Sequence, residues 1–234
     1  MNIAVLEGYV NNPGDLSWDA LESYGTVTVY DRTPRDQLAQ RMADVDVAVS
    51  SKTVWDAEAL GWAPRLKMIA LTSTGYNVVD LDAARARGIV VSNVPAYSTP
   101  DVAQMTFALL LELCHHVGDH SRSVKEGGWS SCPDFCYWNT PLIELAGKTF
   151  GVIGYGRIGR AAAKLAAAFG MEVLAFDKFA QDDGVARMVT LDELLAQSDV
   201  ISLHCPLTDE TKHIINEKTI AQMKDGVILV NTSR

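Results

Sequence analysis

Residues Lys148 to Asp177, KTFGVIGYGRIGRAAAKLAAAFGMEVLAFD, constrain this chain more than any other stretch. Thr149 to Ile153 is a short apolar run with β-branched residues and predicts a buried strand. It enters Gly154-Tyr155-Gly156-Arg157-Ile158-Gly159, a GxGxxG turn. An alanine-rich helix pattern follows from about Ile158 to Phe169, Gly170 stops it, and Glu172 to Phe176 predicts a second strand that ends at Asp177. In such a unit the first glycine permits the tight turn, the second lets backbone approach a pyrophosphate, and the third lets helix and strand pack closely. The helix N-terminus presents free N–H groups to the anion. Asp177 can accept hydrogen bonds from both hydroxyls of a ribose and repels a 2′-phosphate, so the stretch points to NAD(H) over NADP(H). Lys178 beside it weakens that preference only slightly.

A length of 234 residues allows one large domain or two modest ones, and 48% apolar content suffices for packed cores. The net charge of −9 argues against a nucleic-acid partner, because no basic cluster is present to neutralise phosphates. No apolar run is long enough to cross a bilayer, and Met1-Asn2 leads straight into a strand, so a cytoplasmic protein is expected. Cys132 and Cys136 have no second pair or histidines at zinc spacing, and with Cys114 and Cys205 they read as buried or incidental thiols. His116 and His120 could share a helix face as metal ligands, but no carboxylate completes a known arrangement. A surface position near a helix C-terminus is the plainer reading of that pair.

The first hundred residues alternate strand and helix patterns. Strands are expected at Ile3 to Leu6, Thr26 to Tyr30, Val45 to Val49, Met68 to Leu71 and Ile89 to Val91. Helices are expected before Tyr24, from Pro34 to Met42 with the proline in the first turn, and from Asp80 to Arg87. Such alternation implies right-handed crossovers and a parallel sheet. A junction at Asn93 to Pro100 divides the chain into residues 1–98 and 99–234. The helix that begins at Pro100 and runs to about His116 or a little beyond carries an apolar face through Val102, Met105, Leu109 and Leu113 plus a broad secondary stripe, which suits burial between domains or subunits. Lys125 to Leu145 reads as an irregular aromatic arm that packs on a neighbouring subunit, lines a site, or lies on the surface. After Asp177 the rhythm continues with strands at Val185 to Val189, Val200 to Leu203 and Val227 to Val230, and helices at Leu191 to Ala196 and Asn216 to Met223.

GYGRIG, the acid at Asp177, His204-Cys205-Pro206-Leu207-Thr208 and Asn231-Thr232-Ser233-Arg234 together resemble the D-2-hydroxyacid dehydrogenases. Thr72 to Asp80, TSTGYNVVD, is similar to their substrate-domain loop, and the arm around Asp134 to Trp138 looks most like the glycerate dehydrogenase (hydroxypyruvate reductase) branch. The resemblance spans the whole chain. It implies an α/β chain of two doubly wound parallel-sheet domains, a flavodoxin-like substrate domain and a Rossmann NAD-binding domain. It also implies an oxidoreductase that interconverts a small 2-keto acid of the hydroxypyruvate or glyoxylate type and its D-2-hydroxy acid, as a homodimer.

The resemblance assigns roles residue by residue. Thr74 and Gly75 match the loop whose amides hold the substrate carboxylate, with Thr74 also near the nicotinamide. Arg157 and Ile158 match the residues whose amides meet the pyrophosphate, within the Gly154, Gly156 and Gly159 turn, and Asp177 matches the ribose ligand. Cys205, Pro206 and Thr211 match the adenosine side, and Thr232 and Ser233 line the nicotinamide region. Arg234 matches the catalytic arginine, whose planar fork can bind a carboxylate and polarise a carbonyl, and which also joins the cofactor site. Lys52, after the third strand, reads either as a substrate contact or as a solvated lysine. Members of the family continue past this arginine with a catalytic glutamate and an acid/base histidine. The native polypeptide is therefore expected to be longer and residues 1–234 alone to be inactive. A chain ending at Arg234 would instead be a non-catalytic NAD(H)-sensing or scaffold protein.

Overall fold

Short β-branched runs alternating with amphipathic segments build two parallel sheets, each flanked by helices. The computed structural model describes residues 1–233. Two compact units result, one spanning Met1–Tyr97 and the other beginning at Ser98.

In the first unit the strands are β1 (Asn2–Val5), β2 (Thr26–Val29), β3 (Val47–Ser50), β4 (Met68–Leu71) and β5 (Val90–Ser92). The helices are α1 (Gly8–Asn11), α2 (Asp19–Glu22), α3 (Arg35–Met42), α4 (Ala57–Gly61) and α5 (Leu81–Ala86). The sheet order is β2-β1-β3-β4-β5, all parallel, which is the flavodoxin-like order. Its core gathers Leu6, Leu38, Met42, Trp55, Leu60 and Ile69, all almost fully buried. Pro34 caps α3 from an extended conformation and does not sit in its first turn. Neither α1 nor α4 was legible in the sequence. Asp56 starts α4 by accepting the Ala59 N–H at 2.8 Å, and Asp80 starts α5 through the Ala83 N–H at 2.9 Å; each cap is worth about 1 kcal/mol.

The second unit begins with α6 (Thr99–His115), α7 (Val117–Lys125) and α8 (Gly128–Ser131). It continues through β6 (Thr149–Ile153), α9 (Arg157–Ala168), β7 (Glu172–Phe176), β8 (Arg187–Met188), α10 (Leu191–Gln197), β9 (Val200–Leu203), α11 (Glu217–Ile220) and β10 (Ile228–Asn231). The parallel order β10-β9-β6-β7-β8 is the Rossmann arrangement, with the chain reversing direction across the sheet between β6 and β9.

Helix α6 packs within its unit through its second apolar stripe and leaves the first one open. Ala103, Thr106, Phe107, Leu110 and Cys114 point inward, whereas Met105, Leu109 and Leu113 remain 54%, 44% and 49% exposed. The inner face packs against α9, whose Ala162, Ala163 and Ala166 are fully buried. Those methyl side chains let the helices approach closely, and Phe107 stacks on Phe169 with ring centroids 5.3 Å apart. His116 adopts the left-handed conformation (φ 48°) and separates α6 from α7. The arm after Lys125 is not wholly irregular, because Gly128–Ser131 forms one helical turn.

Candidate active site

In open parallel α/β sheets, ligands bind beyond the C-terminal strand ends at the point where the strand order reverses. Both sheets place predicted residues there. In the second unit the turn after β6 is fixed by close approaches. Gly154 has φ +96°, and a Cβ on it would lie 2.4 Å from the Cys205 backbone nitrogen in the loop after β9. A Cβ on Gly159 would meet the Gly154 carbonyl oxygen at 2.1 Å, so this position sets the spacing between helix and turn. Gly156 is different, for a Cβ there would find no heavy atom within 4 Å. It faces open space at the start of α9, whose first turn carries no acidic residue. A twelve-residue helix with an unneutralised N-terminus beside a bare glycine can accept an anion such as a pyrophosphate. Arg157 and Ile158 open that helix.

Asp177 stands at the end of β7, half-buried. Burial opposes its ionisation, but N–H donors from Phe179 (2.8 Å), Ala180 (3.0 Å) and Tyr155 (2.8 Å) outweigh it. With the Arg160 charge they hold the carboxyl below the usual carboxylate range. The Tyr155 bond also links the acid to the glycine turn. Cys205 is close enough to feel the Asp177 charge. Burial is the larger cause of its raised thiol pKa, so the thiol stays protonated.

Cys205, Pro206, Thr211 and Ser233 line one cleft of about 280 Å³ with Leu203 and Asn231. Thr208 and Thr211 close the loop after β9, the Thr208 N–H donating to Thr211 Oγ1 at 2.8 Å. After β10 the chain is pinned from three directions. Thr232 meets Thr106 of α6 hydroxyl to hydroxyl at 3.2 Å. Ser233 Oγ donates to the Leu203 carbonyl at 2.8 Å, and the Ser233 N–H donates to Asn231 Oδ1 at 2.9 Å. Arg234, the predicted catalytic arginine, lies outside the described residues. His204 is not an acid/base in waiting: burial lowers its pKa to about 4 from the ordinary 6.5, and Nε2 faces Ser202 Oγ at 2.9 Å.

Lys52, Thr74 and Gly75 belong to the first unit. The first sheet reverses between β1 and β3, and there the sequence reading missed a residue. Glu7, 6% exposed, follows β1 and takes the N–H groups of Ser51 (3.0 Å), Lys52 (3.3 Å) and Thr53 (2.7 Å) on its carboxylate. Trp55, fully buried, donates its indole N–H to Ser50 Oγ at 3.3 Å. Lys52 is thereby held at the switch point on an anchored loop, with its side chain exposed. After β4, Thr74 Oγ1 donates to the Val94 carbonyl at 2.9 Å, Asn93 Nδ2 to the Thr74 carbonyl at 2.7 Å, and Ser73 Oγ to the Gly75 carbonyl at 2.8 Å. None of these bonds uses the Thr74 or Gly75 N–H, which can therefore serve a carboxylate.

Among the described residues no group of three or more His, Cys, Asp or Glu side chains can hold a metal ion. His120 instead turns Nδ1 to the His116 carbonyl at 3.0 Å and accepts the Asn139 N–H at 3.4 Å. All four cysteines are free thiols. No helix is long and apolar enough to cross a membrane among the described residues.

The geometry therefore fits a dinucleotide, and comparison with known proteins agrees. Residues 107–234 match the family model described as "D-isomer specific 2-hydroxyacid dehydrogenase, NAD binding domain". The whole chain aligns at 51% identity with 74% of the hydroxypyruvate reductase of Blautia hydrogenotrophica. The glycerate dehydrogenase of Methylorubrum extorquens is 40% identical over 85% of the chain, which covers 62% of that protein. Among solved structures, D-lactate dehydrogenase from Aquifex aeolicus, complexed with NAD and lactic acid, superposes on all of the chain and 69% of its own with a TM-score of 0.83 at 33% identity. A turn that only glycine can make, an ionised acid at the next strand end, and these matches place the chain in the D-isomer specific 2-hydroxyacid dehydrogenase family of NAD-dependent oxidoreductases.

Proposed function

We propose that the chain serves an NADH-dependent reductase of small 2-keto acids of the hydroxypyruvate and glyoxylate type, giving the D-2-hydroxy acid. The observation that carries this reading is the set of C-terminal strand ends in the second unit, where Gly156, Asp177, Cys205 and Ser233 share one edge of the sheet. The names of the relatives, hydroxypyruvate reductase and glycerate dehydrogenase, support the substrate class.

On this reading residues 1–98 form the substrate domain and residues 99–234 the NAD-binding domain. When bound, the nicotinamide supplies the hydride. The Arg157 and Ile158 amides would hold the pyrophosphate, Asp177 would take the ribose hydroxyls, and Cys205, Pro206 and Thr211 would line the adenosine side. Thr232 and Ser233 would face the nicotinamide end. Thr74 and Gly75 offer N–H groups to the substrate carboxylate, and Lys52 supplies a nearby positive charge. Arg234 completes the set with a bidentate fork for the carboxylate and polarisation of the carbonyl. The exposed stripe Met105, Leu109 and Leu113 on α6 supports a homodimer, and the protein is assigned to the cytoplasm.

The test is NADH oxidation by the native polypeptide with hydroxypyruvate, glyoxylate and pyruvate in parallel. Hydroxypyruvate and glyoxylate should be the better substrates. Binding of NADH with no turnover of any of the three would sink the reductase reading and leave an NAD(H) sensor.

A further inference from the structure

Asp177 is flanked by two cations, and each is already matched by an acid. Arg160 projects from the first turns of α9, and its charge reaches the Asp177 carboxyl. Its guanidinium lies over the Tyr155 ring at 4.4 Å from the centroid, pairs with Asp183 and donates to the Gln181 carbonyl at 3.3 Å. Asp183 also accepts the Tyr155 hydroxyl at 2.8 Å, and Tyr155 is itself 1% exposed. The second cation, Lys178, follows the ribose acid in sequence and pairs with Glu210 in the loop after β9.

We propose that Asp183 and Glu210 set the dinucleotide preference of this site by committing Arg160 and Lys178, so that neither is free for a 2′-phosphate. The inference rests on the NAD(H) site described above. A carboxylate at the strand end repels a third phosphate, but that repulsion alone is weak where uncompensated guanidinium or ammonium groups stand next to it. Arginine is the natural partner for a phosphate, because its planar fork matches the oxygens of that group. Here the guanidinium is held over an aromatic ring with its donors taken by Asp183 and the Gln181 carbonyl. Asp183 and Glu210 are thus positioning residues that act through Arg160 and Lys178.

Fluorescence titration with NADH and NADPH tests this on four proteins: the unmodified chain, Asp183→Asn, Glu210→Gln, and Asp183→Asn combined with Arg160→Gln. Freeing a guanidinium for a charge-assisted bond should tighten NADPH about three- to tenfold in Asp183→Asn, with NADH changed by less than about twofold. Glu210→Gln breaks an exposed pair and should give a smaller gain of about twofold. The double variant should lose the gain, and added salt should shrink it. A merely structural role for Asp183 would loosen the 178–184 loop and weaken both dinucleotides together, which would overturn the proposal. An unchanged NADPH-to-NADH ratio in both single variants would overturn it as well. Glu210→Gln lies on the surface, so it decides the matter even if Asp183→Asn does not fold. Failure of the unmodified chain to bind NADH would remove the cofactor reading and this inference with it, a result distinct from intact NADH binding with an unmoved ratio.

Discussion

Replacing Gly156 by alanine should separate folding from dinucleotide binding. The backbone there (φ −79°, ψ −159°) is open to any residue, and a Cβ would touch nothing within 4 Å. The expected loss of stability is that of a poorer N-cap, at most about 1 kcal/mol. Gly159→Ala provides the contrast, since its Cβ would sit 2.1 Å from the Gly154 oxygen and 3.1 Å from Val152 Cγ1. Backbone cannot rotate aside as a side chain can, so overpacking should cost about 3 kcal/mol, the upper part of its usual range. At about 2–4 °C per kcal/mol for a chain of this size, Gly159→Ala should melt about 6–12 °C lower and Gly156→Ala no more than about 4 °C lower. Affinity should follow another order. The Gly156→Ala methyl occupies the open space at the helix N-terminus and displaces the pyrophosphate from its N–H donors. Losing one such charge-assisted bond costs about 1.5–3 kcal/mol, so NADH should bind roughly tenfold to a hundredfold more weakly. Circular dichroism melts and NADH fluorescence titrations on the two variants give both quantities. Unchanged NADH affinity in Gly156→Ala, or a melting point as low as that of Gly159→Ala, would refute the assignment of this space to the pyrophosphate.

Two further outcomes are expected. His204 carries a folded-state pKa of about 4 against an ordinary 6.5, so the unfolded chain binds more protons between those values. Stability is whole above about pH 6.5 and falls as the pH drops towards 4, by up to about 3 kcal/mol from this group. Urea midpoints of the unmodified chain and His204→Gln across that window should converge as pH falls, and parallel curves would show that the ring is not buried neutral. Glu7→Ala strands the N–H groups of Ser51, Lys52 and Thr53 and should cost about 3 kcal/mol, with a raised KM for the keto acid. An unaltered melting point in that variant would mean that solvent satisfies the loop.

The β6–α9–β7 unit was legible because its demands are local. Gly154 and Gly159 stand where φ or a close approach excludes a Cβ, and β4, β6, β7 and β9 occupy the expected residues because strands covered on both faces read as continuous apolar runs. Which face of α6 packs inside the chain could not be read from the sequence for a physical reason. The helix is apolar almost all round, so Val102-Met105-Leu109-Leu113 and Ala103-Phe107-Leu110-Cys114 are equally good stripes by period. Only the alanine face of α9, which accepts Phe107 and small neighbours, chooses between them. Glu7 escaped notice because an acid after a strand looks like a loop charge, and its three amide partners lie more than forty residues away. The Tyr155–Arg160–Asp183 group joins a turn, a helix and a distant loop, a juxtaposition that no spacing announces.

The central claim is that the C-terminal edge of the second sheet is an NAD(H) site. Isothermal titration of residues 1–234 with NADH addresses it without requiring turnover. The expected result is a single site per chain, with NADPH weaker by on the order of tenfold because of Asp177 and its neutralised neighbours. No binding of NADH to the folded chain, or tighter binding of NADPH, would contradict it.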